Sequence, residues 1–134
     1  MEKKDQRTRT ITLFSKKNNE IRTVRSKSAK KVATYLEKET DVTHYDSNVE
    51  MNLIEGEISS IGIRPSYMKE SWITDFVVNM RDGSTMIIEV ADAVELQKKS
   101  IIERLEISRR YWQQNRVNKW IIAEVKKEKG ETSW

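Results

Sequence analysis

Two short apolar runs near the middle of the chain constrain its fold more than any other feature. Residues 72–80 (Trp-Ile-Thr-Asp-Phe-Val-Val-Asn-Met) and 85–91 (Thr-Met-Ile-Ile-Glu-Val-Ala) flank Arg81-Asp82-Gly83, and each carries one acid, Asp75 and Glu89. Their length and β-branched content read as strands, and the polar stretch between them as a hairpin turn. A three-residue loop with Gly83 in the left-handed position places Met80 opposite Ser84, and therefore Asp75 opposite Glu89 on one face, about 5 Å apart at Cβ. A two-residue Asp82-Gly83 turn puts the acids on opposite faces. Loop length alone does not choose between them. In the first register two like charges meet, which destabilises the sheet unless a cation or a proton relieves them.

The surrounding pattern is α/β. Residues 9–14 alternate as a strand, Lys16-Lys17-Asn18-Asn19 is a turn, and residues 20–25 form the return strand. A helix follows, N-capped by Ser26 or Ser28, with Ala29, Val32, Ala33 and Leu36 on one buried stripe. Residues 41–45 and 49–54 look extended, and a short helix over 56–61 ends at Gly62. The longest helix covers 94–115, with Val94, Ile101, Leu105 and Trp112 facing inward and Arg104, Arg109, Arg110 and Arg116 on other faces. A last strand, 119–123, follows it, so the connection is a parallel crossover. Residues 1–8 and 124–134 read as flexible ends of a domain spanning 9–123. Trp72, Trp112 and Trp120 read as packing residues, and the lone His44 as exposed.

Charge is segregated. Residues 1–40 carry net +7, residues 41–95 net −8, and residues 96–134 net +5. An acidic centre between basic flanks suits a metal-binding site beside a phosphate-binding surface, with Lys16, Lys17, Arg22, Arg25, Lys27, Lys98 and Lys99 as candidate DNA contacts; an ordinary solvated surface has the same signature. The absence of cysteine excludes thiolate metal sites and, with no long apolar run, points to a cytoplasmic protein. A single histidine excludes a histidine-rich zinc site.

Two carboxylates on neighbouring strands are oxygen ligands suited to magnesium or manganese, which would activate water toward a phosphodiester. A nuclease pattern of this type continues, two residues after the second acid, with a lysine on the same strand face. Here the chain reads Asp75, a 13-residue spacer, then Glu89-Val90-Ala91. The acids are present and the lysine is not. Paired strand acids also occur as plain ion-pair or edge features.

Five elements in order resemble the TnsA family, the endonuclease subunits of heteromeric transposases. They are Phe14-Ser15-Lys16-Lys17-Asn18-Asn19 with Ile21; Leu36-Glu37-Lys38-Glu39-Thr40-Asp41-Val42; Ile61-Gly62-Ile63-Arg64-Pro65; Thr74-Asp75-Phe76-Val77-Val78 with Asp82-Gly83; and Ile88-Glu89-Val90 through Glu103-Arg104-Leu105-Glu106 to Gln114. The resemblance implies a restriction-endonuclease-like domain, a mixed β-sheet flanked by helices. It implies cleavage of the non-transferred strand at double-stranded transposon ends, with a TnsB-like transposase and a TnsC-like ATPase. By position it assigns the metal ligands to Asp75 and Glu89. The family's helix glutamate falls on Ala29 and its lysine on Ala91, so Mg2+ or Mn2+ is expected to bind weakly or not at all, and the chain is expected to be inactive. Replacement by design, natural divergence of a binding or assembly module, or substitution by Lys98, Lys99 or Glu37 would each account for the alanines. A junction resolvase of the same superfold is the other enzyme reading. The family domain that contacts the ATPase is expected to lie outside this sequence.

Overall fold

A computed structural model describes residues 11–54 and 56–126. The N-terminal ribbon pairs β1 (Ile11–Ser15) with β2 (Glu20–Val24), Phe14 opposite Ile21. Helix α1 (Lys27–Lys38) follows at once because Ser26 is extended and its hydroxyl accepts the Ala29 N–H at 3.0 Å, satisfying one of the helix's free donors. Its buried stripe is Ala29, Val32, Ala33 and Leu36. The main sheet has the order β3-β4-β5-β6, formed by Val42–Met51, Trp72–Met80, Thr85–Ala91 and Lys119–Glu124. The first three strands are antiparallel, and β6 returns parallel to β5 after helix α2 (Lys99–Gln114).

Helix α1 and the sheet enclose the main apolar cluster, in which Val32, Ala33 and Leu36 meet Tyr45, Phe76, Val78 and Ile88. The rings of Tyr45 and Phe76 pack edge to face at 6.0 Å. Ile88 belongs to this cluster, so strand alternation directs Ile87, Glu89 and Ala91 to the other face. That face is covered by α2. Ser108 of α2 bonds to Glu89, Trp112 bonds to Thr74, and Trp120 of β6 bonds back to Ser108. The result is the expected mixed sheet flanked by helices.

Three expectations are corrected. No helix forms over 56–61. Gly56 and Gly62 both take positive φ (86° and 82°), outside the helical region, and Arg110 of α2 fixes the segment between them by donating to the carbonyls of Ser59 and Ile61 at 2.7 and 2.9 Å. A short 3-10 turn forms instead at Pro65–Lys69. The extended pieces predicted at 41–45 and 49–54 join into one strand, β3, that runs through 46–48 and ends at Met51, leaving 52–54 outside it. The long helix starts at Lys99, not near 94, because Asp92 and Glu95 exchange side chain–backbone bonds at 2.8 and 3.0 Å and close a tight turn, and Lys98 is extended. Val94 is therefore exposed and does not face the core. The tryptophans at 72, 112 and 120 are half-buried and His44 is exposed. The readings of residues 1–8 and of most of the tail lie outside the described residues. Among the described residues no helix is long and apolar enough to cross a membrane.

Candidate functional site

The β4–β5 turn settles the register. Met80 N–H donates to the Ser84 carbonyl at 2.9 Å, Gly83 has φ 89°, and Asn79 lies opposite Thr85. This is the three-residue loop, so Asp75 and Glu89 are opposite one another. Regular pairing between the strands stops at Phe76–Ile88. Beyond it the two carboxylates take over the hydrogen bonds. Glu89 Oε1 accepts the Asp75 N–H at 3.2 Å, and Asp75 Oδ2 accepts the Val90 N–H at 2.8 Å.

β4 turns over at this point. Thr74 accepts a bond from Trp112 of α2, whereas Phe76, two residues on, packs in the cluster with α1. Strict alternation would put both on one face. On the neighbouring strand the register sets Ser47 opposite Phe76 and Val49 opposite Thr74, which leaves Asn48 beside Asp75, in the left-handed region at φ 54°. Asn48 tolerates that conformation better than most residues, and its side-chain amide donates to the Thr23 carbonyl at 3.1 Å.

Each acid has a guanidinium. Arg25, just before α1, reaches Asp75 Oδ1 at 3.5 Å, and Arg104 of α2 lies 3.7 Å from Glu89 Oε1. Ser108, one turn after Arg104, donates to Glu89 Oε2 at 2.5 Å and accepts from Trp120 Nε1 at 2.9 Å. Glu89 is completely buried. Burial pushes its carboxyl up to about 7, the adjacent Asp75 carboxylate adds to the rise, and Arg104 and Ser108 offset only part of it.

The remaining predicted residues are dispersed. Ala91 is buried on the Glu89 face. Ala29 is buried as well, but within the apolar cluster that includes Phe76 and Ile88, so the four positions do not line one hollow. Glu37 cannot substitute for a missing acid, since it accepts from the Tyr45 hydroxyl at 2.6 Å and from the Lys17 N–H at 3.3 Å. Lys98 and Lys99 are exposed at the start of α2. Of the candidate DNA contacts, Lys16 and Lys27 are also exposed. Lys17 is committed to the carbonyls of Glu39 and Val42 (2.8 and 2.6 Å), Arg22 to Glu20, Asp46 and the Tyr45 carbonyl, and Arg25 to Asp75. These three hold the fold.

The sequence reading missed Arg104 and Ser108 as partners of Glu89. The available signal was their i, i+4 spacing, which puts both on one face of α2. A second charged link went unread: Arg64 grips Glu103 through its backbone N–H, Nε and Nη2 at 3.0–3.1 Å, and holds that carboxyl down at about 2. This clamp fastens the loop before β4 to α2.

A resident divalent cation does not fit this donor set. Among the described residues Asp75 and Glu89 are the acids that meet here, and each already faces a guanidinium, Arg25 at 3.5 Å and Arg104 at 3.7 Å, whose positive charge opposes a cation at the same place. Among the described residues no three His, Cys, Asp or Glu side chains gather as a metal cluster.

The class is thus an α/β domain, a mixed sheet between two helices with a carboxylate pair where its central strands part. Residues 29–124 match the TnsA-like endonuclease N-terminal family. The chain belongs to that family. It is also similar to the transposon Tn7 transposition protein TnsA of Escherichia coli, 43% identical over 51 residues, which are 37% of this chain and 18% of that protein. The alignment thus spans less than a fifth of that relative.

Proposed function

We propose that this domain serves in transposition as a TnsA-like component that binds double-stranded DNA at transposon ends, beside a TnsB-like transposase and a TnsC-like ATPase, without cleaving a strand itself. One observation carries the reading. The acids at the expected catalytic positions are tied into the protein's own hydrogen bonds and guanidinium contacts, and the position two residues beyond Glu89 is Ala91, which can neither hold nor polarise water. The loss of one such electrostatic group costs about 10²–10³ in rate, and Arg25 and Arg104 add positive charge beside the acids that would have to hold a cation. The exposed lysines 16, 27, 98 and 99 supply phosphate contacts without sequence readout.

The test is a supercoiled-plasmid nicking assay with Mg2+ and with Mn2+, run beside a gel-shift measurement on the same DNA. Binding without nicking is the expected result. Metal-dependent nicking that disappears in Asp75→Asn would overturn the reading, as would failure to bind DNA at low salt.

A further inference from the structure

We propose that Arg25 and Arg104 stand in for a divalent cation at the Asp75–Glu89 pair, so that the chain itself neutralises a site its family architecture builds for metal. The inference deepens the proposed function at the same site, and rests on that reading for the site's ancestry.

Two acids opposite one another in a buried stretch of sheet need positive charge nearby. The structure supplies it from both sides of the sheet. Arg25 comes from the entry to α1 and Arg104 from the middle of α2, at 3.5 and 3.7 Å from the two acids. These are long for hydrogen bonds but close for charges. Among the described residues the buried side-chain nitrogens without a hydrogen-bond partner are Arg25 Nε and Arg104 Nη1. Leaving a guanidinium nitrogen buried and unbonded is costly. They belong to the two arginines that face this pair, Arg25 with a single long bond from Nη2 to Asp75 Oδ1 and Arg104 with Nη1 at 3.7 Å from Glu89 Oε1, so charge more than hydrogen-bond geometry holds them there. Guanidinium is the side chain suited to that role, because it stays ionised when buried and is weakly hydrated. The fixed donors, Ser108 Oγ–H and the Val90 and Asp75 N–H groups, hold the two carboxylates in place between the guanidiniums.

Terbium(III), a hard oxygen-seeking cation, tests this directly, because Trp120 is linked to Glu89 through Ser108 and lies close enough to sensitise its emission. Excited at tryptophan, the parent protein should give no saturable terbium emission. Arg25→Gln/Arg104→Gln should give saturable emission that Asp75→Asn removes. If circular dichroism shows that the double variant is unfolded, Arg104→Gln alone takes its place with the same readings. The inference is overturned if the parent binds terbium through Asp75, or if the folded arginine variant stays silent. A parent that emits but does not nick DNA overturns this inference alone; a silent parent that fails to bind DNA overturns the proposed function alone.

Discussion

Glu89→Gln should make the protein more stable at neutral and alkaline pH and leave it unchanged in mild acid. The folded carboxyl titrates near 7 against an ordinary 4.5. The folded state therefore holds its proton more tightly than the unfolded chain does, and stability falls as pH rises through that interval. The contribution is fully present below about 4.5 and lost above about 7. At about 1.4 kcal/mol per pH unit, the interval corresponds to an upper bound of about 3 kcal/mol. Arg104's attraction is already inside that balance, because it is one of the causes that set the carboxyl's position. Glutamine mimics the protonated acid in shape and charge, so the variant should escape the penalty. For a chain of this size 1 kcal/mol moves Tm by about 3–5 °C, and the variant should melt as much as about 15 °C higher at pH 8, with the gap closing by pH 5. Thermal melts of both proteins at half-unit steps from pH 4.5 to 8.5 measure it. Acids remote from the pair are common to both proteins and cancel in the difference. A gap that is the same at pH 5 and pH 8, or that grows toward acid, would refute the argument.

Three further outcomes follow from the packing and the surface. Leu36→Ala empties a fully buried position between α1 and the sheet and should cost about 2–5 kcal/mol in urea unfolding. Ser26→Ala removes the bond to the Ala29 N–H and should cost about 1 kcal/mol, measured the same way. In DNA binding, a log–log salt slope of about −3.5 to −5.5 corresponds to 4–6 neutralised phosphates, and Lys98→Ala/Lys99→Ala should bring it toward zero by about 1–2; a slope that does not move would take those lysines out of the interface.

Local signals in the sequence located most elements. The strands at 72–80 and 85–91 and the stripe Ala29–Leu36 were legible because periodicity and capping are local chemistry. The hairpin register was not, since Asp82-Gly83 suits two loop lengths, and only the Met80–Ser84 bond and the backbone of Gly83 decide. The failures share a cause in long-range contacts. Over 56–61, where the sequence predicts a helix, the chain is pinned instead by Arg110, which bonds to the Ser59 and Ile61 carbonyls from 49–51 residues away. The site was half legible. Asp75 and Glu89 stand out as acids in apolar strands, but the guanidiniums that face them come from residues 50 positions earlier and 15 later; the spacing of Arg104 and Ser108 shows that they share a helix face, not that this face meets Glu89.

The parting of β4 from β5 has a consequence for amide exchange. Along most of the ladder, peptide N–H groups are held by backbone carbonyls, and at Tyr45 and Thr85 by uncharged asparagine side chains. The amides of Asp75 and Val90 are held instead by the side chains of Glu89 and Asp75. Their exchange with solvent deuterium is therefore governed by two carboxylates and can change while neighbouring amides keep their rates. Two backbone positions in the middle of a sheet thus act as built-in reporters. Whatever changes the charge or the ligand at the pair, whether proton, cation or DNA phosphate, should register at the Asp75 and Val90 amides before it registers in the stability of the domain.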